Sequence, residues 1–149
     1  MKLFQIEEPD GAPIDPDAPG VAIGIDIGGA SAEVAVAVGG NADVLADRDG
    51  FVLDLAVPPP DASVDDWRDL FAGSRLRAER VLGRPVTHAV LALAFAPDAA
   101  FAARLHAAGE AAGLALLHLV ARRDIAGDTT PALAAAILAE DLAPRPASP

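Results

Sequence analysis

The 149-residue sequence contains no cysteine. It therefore has no disulfide framework, no thiolate metal ligands and no thiol nucleophile, and the default compartment for such a chain is the cytoplasm. Basic residues are also scarce, because 11 Lys and Arg stand against 22 Asp and Glu, and the formal charge is -11. Because a surface of this sign repels phosphate backbones, we expect no nucleic-acid partner.

Long apolar runs are missing as well. No run approaches the ~18 residues that a membrane-spanning helix needs, and residues 1–19 contain one Lys and five acidic residues. These features predict neither a signal peptide nor a membrane anchor, so no membrane partner is expected. Because prolines interrupt it repeatedly, the segment 1–19 is predicted to be a flexible acidic arm, and residues 143–149 a Pro-rich tail.

Between these ends, residues 20–142 are predicted to form one domain, since a chain of this length can bury a core of its own. The sequence is 52% hydrophobic, and much of this fraction is alanine, with 35 residues. Alanine buries little area but lets helices and strands approach closely. We therefore expect a core with close backbone contacts.

Hydrophobic periodicity predicts the order strand, strand, strand, helix, strand, helix, strand, helix. The five strands of this order are Val21–Ile27, 34–38, 43–46, His88–Phe95 and Leu114–Val120, and a further strand-like run, Phe51–Val57, belongs to the same meander region. The predicted helices are 63–83, 98–112 and 130–142. An antiparallel three-strand meander followed by parallel strands with helical crossovers is a mixed α/β sheet. This order is that of the ribonuclease-H-like fold.

One motif contains residues that could bind a metal ion or a phosphate group. The apolar strand from Val21 ends in Asp26, and an isolated carboxylate there must find donors or a metal, because burying an unpaired charge is costly. Gly28 and Gly29 would let the backbone turn and present N–H groups to an anion. In one interpretation Asp26 holds Mg²⁺ through water while Ser31 contacts phosphate. In the other, Asp26 only caps the turn and the glycines complete a hairpin.

The motif and the elements after it resemble a known family. Gly20 to Val38 resembles the first phosphate loop of the actin-like ATPases, and most of all that of the DnaK-type heat-shock chaperones, which have Gly-Ile-Asp-Leu-Gly-Thr-Thr there. Ala78–Val90 resembles the chaperone segment that reads Ala-Glu-x-x-Leu-Gly before a strand. Asp98–Leu114 resembles the next helix, which closes on Ala-Gly-x-x-Ala-Gly-Leu. The resemblance covers about Gly20 to Ala126 and implies a single lobe of an actin-like ATPase domain.

The resemblance implies ATP and Mg²⁺ as ligands, with the phosphate held by Asp26, Gly28, Gly29, Ala30 and Ser31. Two departures bear on activity. Gly28-Gly29-Ala30 replaces Gly-Thr-Thr, which removes hydroxyls, and Arg122 stands where the family has a glutamate beside the hydrolytic water. Reversing that charge would remove an acceptor for the water shell of magnesium. The acids that could substitute in catalysis are Asp124 and Asp128, for which a role as loop or cap residues stays open.

Such a lobe is one of the two that an actin-like ATPase needs to enclose ATP, so most nucleotide contacts would have to come from elsewhere. We therefore expect a non-hydrolysing binding or regulatory module that has a protein partner or a second lobe. One alternative is an ATP site completed by a partner or by self-association as a homo-oligomer. Another is a small ribonuclease-H-like nuclease or resolvase, against which the charge of -11 and Arg122-Arg123 both count.

Overall fold

The computed structural model describes residues 20–46, 55–125 and 130–144. These residues form five strands and four helices. In chain order they are β1 (Val21–Asp26), β2 (Glu33–Val38), β3 (Asn41–Leu45), α1 (Val64–Leu82), β4 (Val86–Leu93), α2 (Ala99–Ala111), β5 (Ala115–Ala121), α3 (Arg122–Ile125) and α4 (Pro131–Leu142). None of the described helices is long and apolar enough to cross a membrane.

The strands form one sheet in the order β3-β2-β1-β4-β5. The meander β1-β2-β3 is antiparallel, whereas β1 and β4, and β4 and β5, run parallel. The predicted mixed α/β sheet is therefore confirmed. β1 is the middle strand of the sheet. Because β1, β4 and β5 are parallel, their C-terminal ends lie at the same edge of the sheet.

Local signals place the helix ends. The Ser63 hydroxyl caps α1 by accepting a hydrogen bond from the Asp66 N–H at 3.2 Å. Gly83 ends the helix in the left-handed conformation with φ 66°, which glycine adopts without strain. In the same way Asp98 caps α2 by accepting from the Phe101 N–H at 2.8 Å. The predicted starts of both helices are confirmed.

Some of the predicted segments lie outside the described residues, and one helix of the structure was not predicted. The arm 1–19, residues 51–54 of the predicted strand Phe51–Val57, and residues 145–149 of the tail lie outside the described residues. Of that strand, Ala56 forms an isolated antiparallel bridge with Ser31. The helix α3 is not predicted from the sequence, because its four residues are too few to show a period.

The two faces of the sheet differ in side-chain size. One face packs against α1 and α2 through large apolar side chains, which include Ile23, Ile25, Leu91, Trp67, Phe71, Phe101 and Leu105. The other face packs against α4, and there most of the buried side chains are alanines, with Val90 and Val120 as larger members of the strand surface. The alanines are Ala22, Ala35, Ala37 and Ala92 of the strands, and Ala132, Ala135, Ala136 and Ala139 of the helix. The close backbone contacts expected from the alanine content therefore lie on the α4 side.

At Gly24 the backbone of β1 lies very close to the backbone of α4. A Cβ built there would lie 2.7 Å from the Ala135 carbonyl carbon and 2.8 Å from the Ala132 carbonyl oxygen, and against the Ala136 nitrogen. These are backbone atoms of α4, so they could yield only if the helix moved away from the sheet. Glycine in the middle of a strand is thus required here by packing.

We predict that Gly24→Ala lowers the free energy of unfolding by about 3 kcal/mol, because α4 must shift and its alanine contacts loosen. Urea denaturation followed by circular dichroism measures the change. Gly29→Ala is the matched control, since a Cβ at Gly29 would meet no atom closer than 3.9 Å; it should change stability by less than about 0.5 kcal/mol. Equal losses for the two variants would contradict the packing argument.

Candidate functional site

The candidate site lies at the carboxyl end of β1. Successive residues of a strand point to opposite faces of the sheet, so Asp26 lies on the same face as Ala22 and Gly24, the α4 side. Only 3% of Asp26 is exposed. The β1–β4 ladder continues past it, because the Ile27 N–H donates to the Ala92 carbonyl at 2.9 Å. The backbone at Asp26 is therefore paired with a strand on each side, β2 and β4.

Both oxygens of this carboxylate accept hydrogen bonds. Oδ1 accepts from the Gly28 N–H at 2.9 Å and from Arg122 Nε at 3.1 Å. Oδ2 accepts from Arg122 Nη2 at 2.6 Å. The guanidinium thus engages Asp26 in a two-pronged geometry, which is among the stronger ion-pair arrangements in proteins. This is the donor set that the buried carboxylate requires.

Arg122 reaches Asp26 because of the sheet topology. It is the first residue after β5, and β5 is separated from β1 only by β4. The three parallel strands end at the same edge, so residues 96 positions apart in the chain meet there. The hydrogen bond to Asp26 raises the pKa of Arg122 above its ordinary value, while partial burial opposes the rise. The arginine is therefore fully charged at neutral pH.

Gly28 makes room for the arginine. A Cβ at this position would lie 2.6 Å from Arg122 Nε and 2.7 Å from its Cδ. Positive φ angles occur at Gly39 and Gly40 of the β2–β3 turn, whereas Gly28 does not have one. The glycine is thus required by the close approach of a side chain and not by the turn itself.

The other predicted phosphate-binding residues lie in the same loop. Gly29, Ala30 and Ser31 are exposed. The loop is pinned to the segment 55–57, since the Ala32 N–H donates to the Leu55 carbonyl at 2.8 Å and the Ala30 carbonyl accepts from the Val57 N–H at 2.9 Å. The structure therefore places all five predicted residues around one turn, and their binding of phosphate stays a prediction.

Of the two predicted catalytic acids, only Asp124 lies within the described ranges. Asp124 is exposed on α3, and Asp128 lies outside the described residues. Within the described ranges, no group of three or more His, Asp or Glu side chains is arranged to hold a metal ion. Because the guanidinium binds both oxygens of Asp26, this arrangement does not fit Mg²⁺ at that carboxylate unless Arg122 moves. ATP and Mg²⁺ as ligands stay predictions.

Asp26 was interpreted either as a magnesium-binding carboxylate or as a cap of the turn. The geometry matches the second interpretation in part. The Gly28 N–H donates to the Asp26 side chain, as in a turn that is capped by an aspartate. The sequence did not indicate Arg122 as the second partner. The only available signal was its position, directly after the last predicted strand and opposite in sign to Asp26.

No protein-family model matches the chain, and no curated protein matches its sequence significantly. Its function therefore has to be inferred from the site itself.

A second concave surface lies at the opposite end of the strands. It has a volume of about 670 Å³, and His88, His106 and Glu110 are among its lining residues. The Thr87 hydroxyl oxygen accepts a hydrogen bond from the Gly20 N–H at 2.8 Å and lies 2.7 Å from His88 Nδ1. Burial lowers the pKa of His88 below its ordinary value. His88 thus has a structural hydrogen bond at the start of β4.

We predict that Asp26 and Arg122 are energetically coupled. Arg122→Gln should lower the free energy of unfolding by about 2 kcal/mol, because it leaves the buried Asp26 carboxylate poorly satisfied. Asp26→Asn should lower it by about 1 kcal/mol, because Arg122 is partly exposed and water can replace its lost partner. The double variant should lose less than the sum of the single losses by about 1 kcal/mol or more. Arg123→Gln, at the exposed neighbouring arginine, is the control and should change stability by less than about 0.5 kcal/mol. Strictly additive losses would show that the pair contributes nothing.

The role assigned to Gly28 gives a separate prediction. Gly28→Ala should cost about 2 kcal/mol in the natural sequence, because the new methyl group displaces the Arg122 side chain. In an Arg122→Ala background the same change should cost little. Denaturant unfolding of the four proteins measures both values, with Gly29→Ala as the control in each background. A cost that does not depend on Arg122 would assign Gly28 to the backbone turn instead.

Proposed function

We propose that this chain is a non-hydrolysing binding or regulatory module built like one lobe of an actin-like ATPase of the heat-shock chaperone type. In this proposal the Asp26–Arg122 ion pair stands where a working enzyme of that type would have a carboxylate that faces a hydrated metal. The observation that carries the proposal is the two-pronged contact between the guanidinium and the buried carboxylate.

The ion pair at the strand ends supports the part of the proposal that excludes ATP hydrolysis. Mg²⁺ prefers near-octahedral oxygen ligands and keeps several waters, so a carboxylate that serves it must leave an oxygen free for the metal or its water. Here the guanidinium already neutralises Asp26. A metal at the same place would have to displace a fixed positive charge from a carboxylate that is only 3% exposed, and separating such a pair is costly.

Sheet topology supports the resemblance to a lobe of this type. The meander is followed by two parallel strands with helical crossovers, in the order β3-β2-β1-β4-β5, which agrees with the element order on which the resemblance rests. The loop 27–32 lies at the carboxyl ends of the strands, where open α/β sheets bind their ligands. Its exposed residues are available to a partner surface.

The nuclease or resolvase alternative has less support. It requires several carboxylates that converge on metal ions at the strand ends, and the described part of the chain contains no such group. Arg122, which pairs with Asp26, is positively charged and would repel a metal ion there. The alternative of a nucleotide site completed by another chain requires Arg122 to leave Asp26, so the two proposals can be separated by experiment.

Calorimetric titration of the purified chain with Mg-ATP tests the proposal. We expect no saturable heat up to millimolar nucleotide and no phosphate release, because the cation of Arg122 occupies the position that a metal would take. Light scattering on the same samples gives the mass, which shows whether self-association accompanies any heat.

The variants Asp26→Asn and Arg123→Gln serve as controls in the titration. Saturable heat in the natural sequence that is abolished by Asp26→Asn and kept in Arg123→Gln would contradict the proposal and support a working nucleotide site. The same heat accompanied by a doubled mass would assign that site to a pair of copies.

A further inference from the structure

Positive charge on this acidic chain is concentrated at the C-terminal end of α1. Four of the 11 basic residues fall within residues 75–84, where they accompany one acid, Glu79. Arg80 lies in the last turn of the helix, and both Arg80 and Arg84 are exposed. The four residues, which we call the basic surface, are Arg75, Arg77, Arg80 and Arg84.

The one acid in this region is paired within the fold. Glu79 Oε2 accepts a hydrogen bond from Arg75 Nε at 3.1 Å and another from the Val86 N–H at 2.8 Å. Arg75 Nη1 also donates to the Ala112 carbonyl at 3.0 Å. Because Glu79 offsets only one of the four arginines, the basic surface has a net positive charge among the described residues.

The N-terminal segment of the chain is attached beside this surface. The Val21 N–H donates to the Pro85 carbonyl at 2.9 Å. A Cβ at Gly20 would lie 2.6 Å from the Pro85 carbonyl oxygen, so the chain passes close to Pro85 at this point. Pro85 and Arg84 both line a shallow concave surface of about 340 Å³. The segment 1–19 thus joins the described part of the chain next to the basic surface.

The segment 1–19, which lies outside the described residues, has the complementary charge. Residues 7–17 contain five acids and no basic residue, and these acids precede Gly20 by three to thirteen positions. An extended chain spans about 3.4 Å per residue, so the acids can lie from about 10 to about 44 Å away from Gly20. The arginines of α1 span only about 8 Å along the helix axis. The acids can therefore reach the whole basic surface.

Covalent attachment favours a contact within one chain. A segment tethered beside a surface has an effective concentration there on the order of millimolar. Single exposed ion pairs stabilise little, but several acids beside several arginines can act as a network. The contact also places negative charge next to the most basic region of a chain whose formal charge is -11, which reduces electrostatic self-repulsion. Any other acidic partner would have to displace the segment.

We propose that the acidic segment 7–17 docks on the basic surface of the same chain and covers the C-terminal end of α1. The contact is electrostatic, so salt weakens it. This proposal does not depend on the proposed function, because the basic surface lies near the amino ends of β1 and β4, whereas Asp26 and Arg122 lie at the carboxyl ends of the strands.

A spin label attached at Ala12→Cys tests the docking in the full chain, since the natural sequence has no cysteine. The substitution leaves all five acids in place. Paramagnetic broadening of amide NMR signals then shows which surface the segment contacts. The concave surface lined by Thr87, His106 and Glu110 serves as an internal reference. It also lies beside the start of β1, because the Thr87 hydroxyl accepts from the Gly20 N–H at 2.8 Å.

The measured quantity is the broadening of residues 77–84 divided by that of residues 106–113. We expect this ratio to fall at least about threefold between low salt and about 1 M NaCl, where the Debye length is about 3 Å. The change with salt removes the purely geometric part of the ratio. A ratio that does not depend on salt would overturn the proposal.

Two double variants with the same net charge locate the docking surface. Arg80→Gln/Arg84→Gln removes two charges from the basic surface and should abolish most of the salt-dependent change. Arg68→Gln/Arg123→Gln removes two charges elsewhere, since Arg68 pairs with acids near the start of α1 and Arg123 lies on α3; it should keep the change. Equal effects of the two variants would overturn the proposal.

A mixed sample distinguishes docking within one chain from docking between two copies. Spin-labelled chain without isotope is mixed with ¹⁵N-labelled chain that has no spin label. We expect no broadening of residues 77–84 in this sample, and salt-dependent broadening there would assign the contact to a second copy and overturn docking in the same chain. If Arg80→Gln/Arg84→Gln fails to fold, the salt series and the mixed sample still decide the proposal.

Discussion

The carboxylate of Asp26 is buried on the middle strand of the sheet, and its charge is compensated by the guanidinium of Arg122, 96 positions later in the chain. Both oxygens bind Arg122, so the pair links the end of β1 to the residue that follows β5. The contact constrains its surroundings: a Cβ at Gly28 would overlap the arginine. Gly28 leaves space for the arginine, and the strand order brings the start of α3 next to the end of β1.

The two faces of the sheet differ in the size of the side chains that pack on them. On the α4 side, alanines and Gly24 allow the helix backbone to approach the strands closely, which leaves little space. On the α1 and α2 side, the core consists of large rings and branched side chains. A cavity of about 120 Å³ lies on this side, where β1 and β4 end. The Asp26 pair and the cavity thus lie on opposite faces of one sheet edge.

The ion pair also bears on how the resemblance to actin-like ATPases is interpreted. A phosphate loop resembling that of an enzyme is compatible with loss of hydrolysis when a single charge beside it changes sign. The Asp26 carboxylate accepts from both Arg122 and the Gly28 N–H, so it links the arginine to the loop. In the proposed function, the scaffold serves binding, and the ion pair stands in the place of a catalytic arrangement.

The sequence by itself determined most of the elements, because period, caps and turn residues are local. Ser63 and Gly83 mark the ends of the first helix, and the apolar run up to Asp26 marks the middle strand and its need for a partner. Only the tertiary structure decided that this partner is Arg122, since the two residues meet through the pairing of β1, β4 and β5. It also decided that the Trp67 indole N–H has no hydrogen-bond partner among the described residues, because periodicity predicts that a side chain is buried but not which atoms surround it.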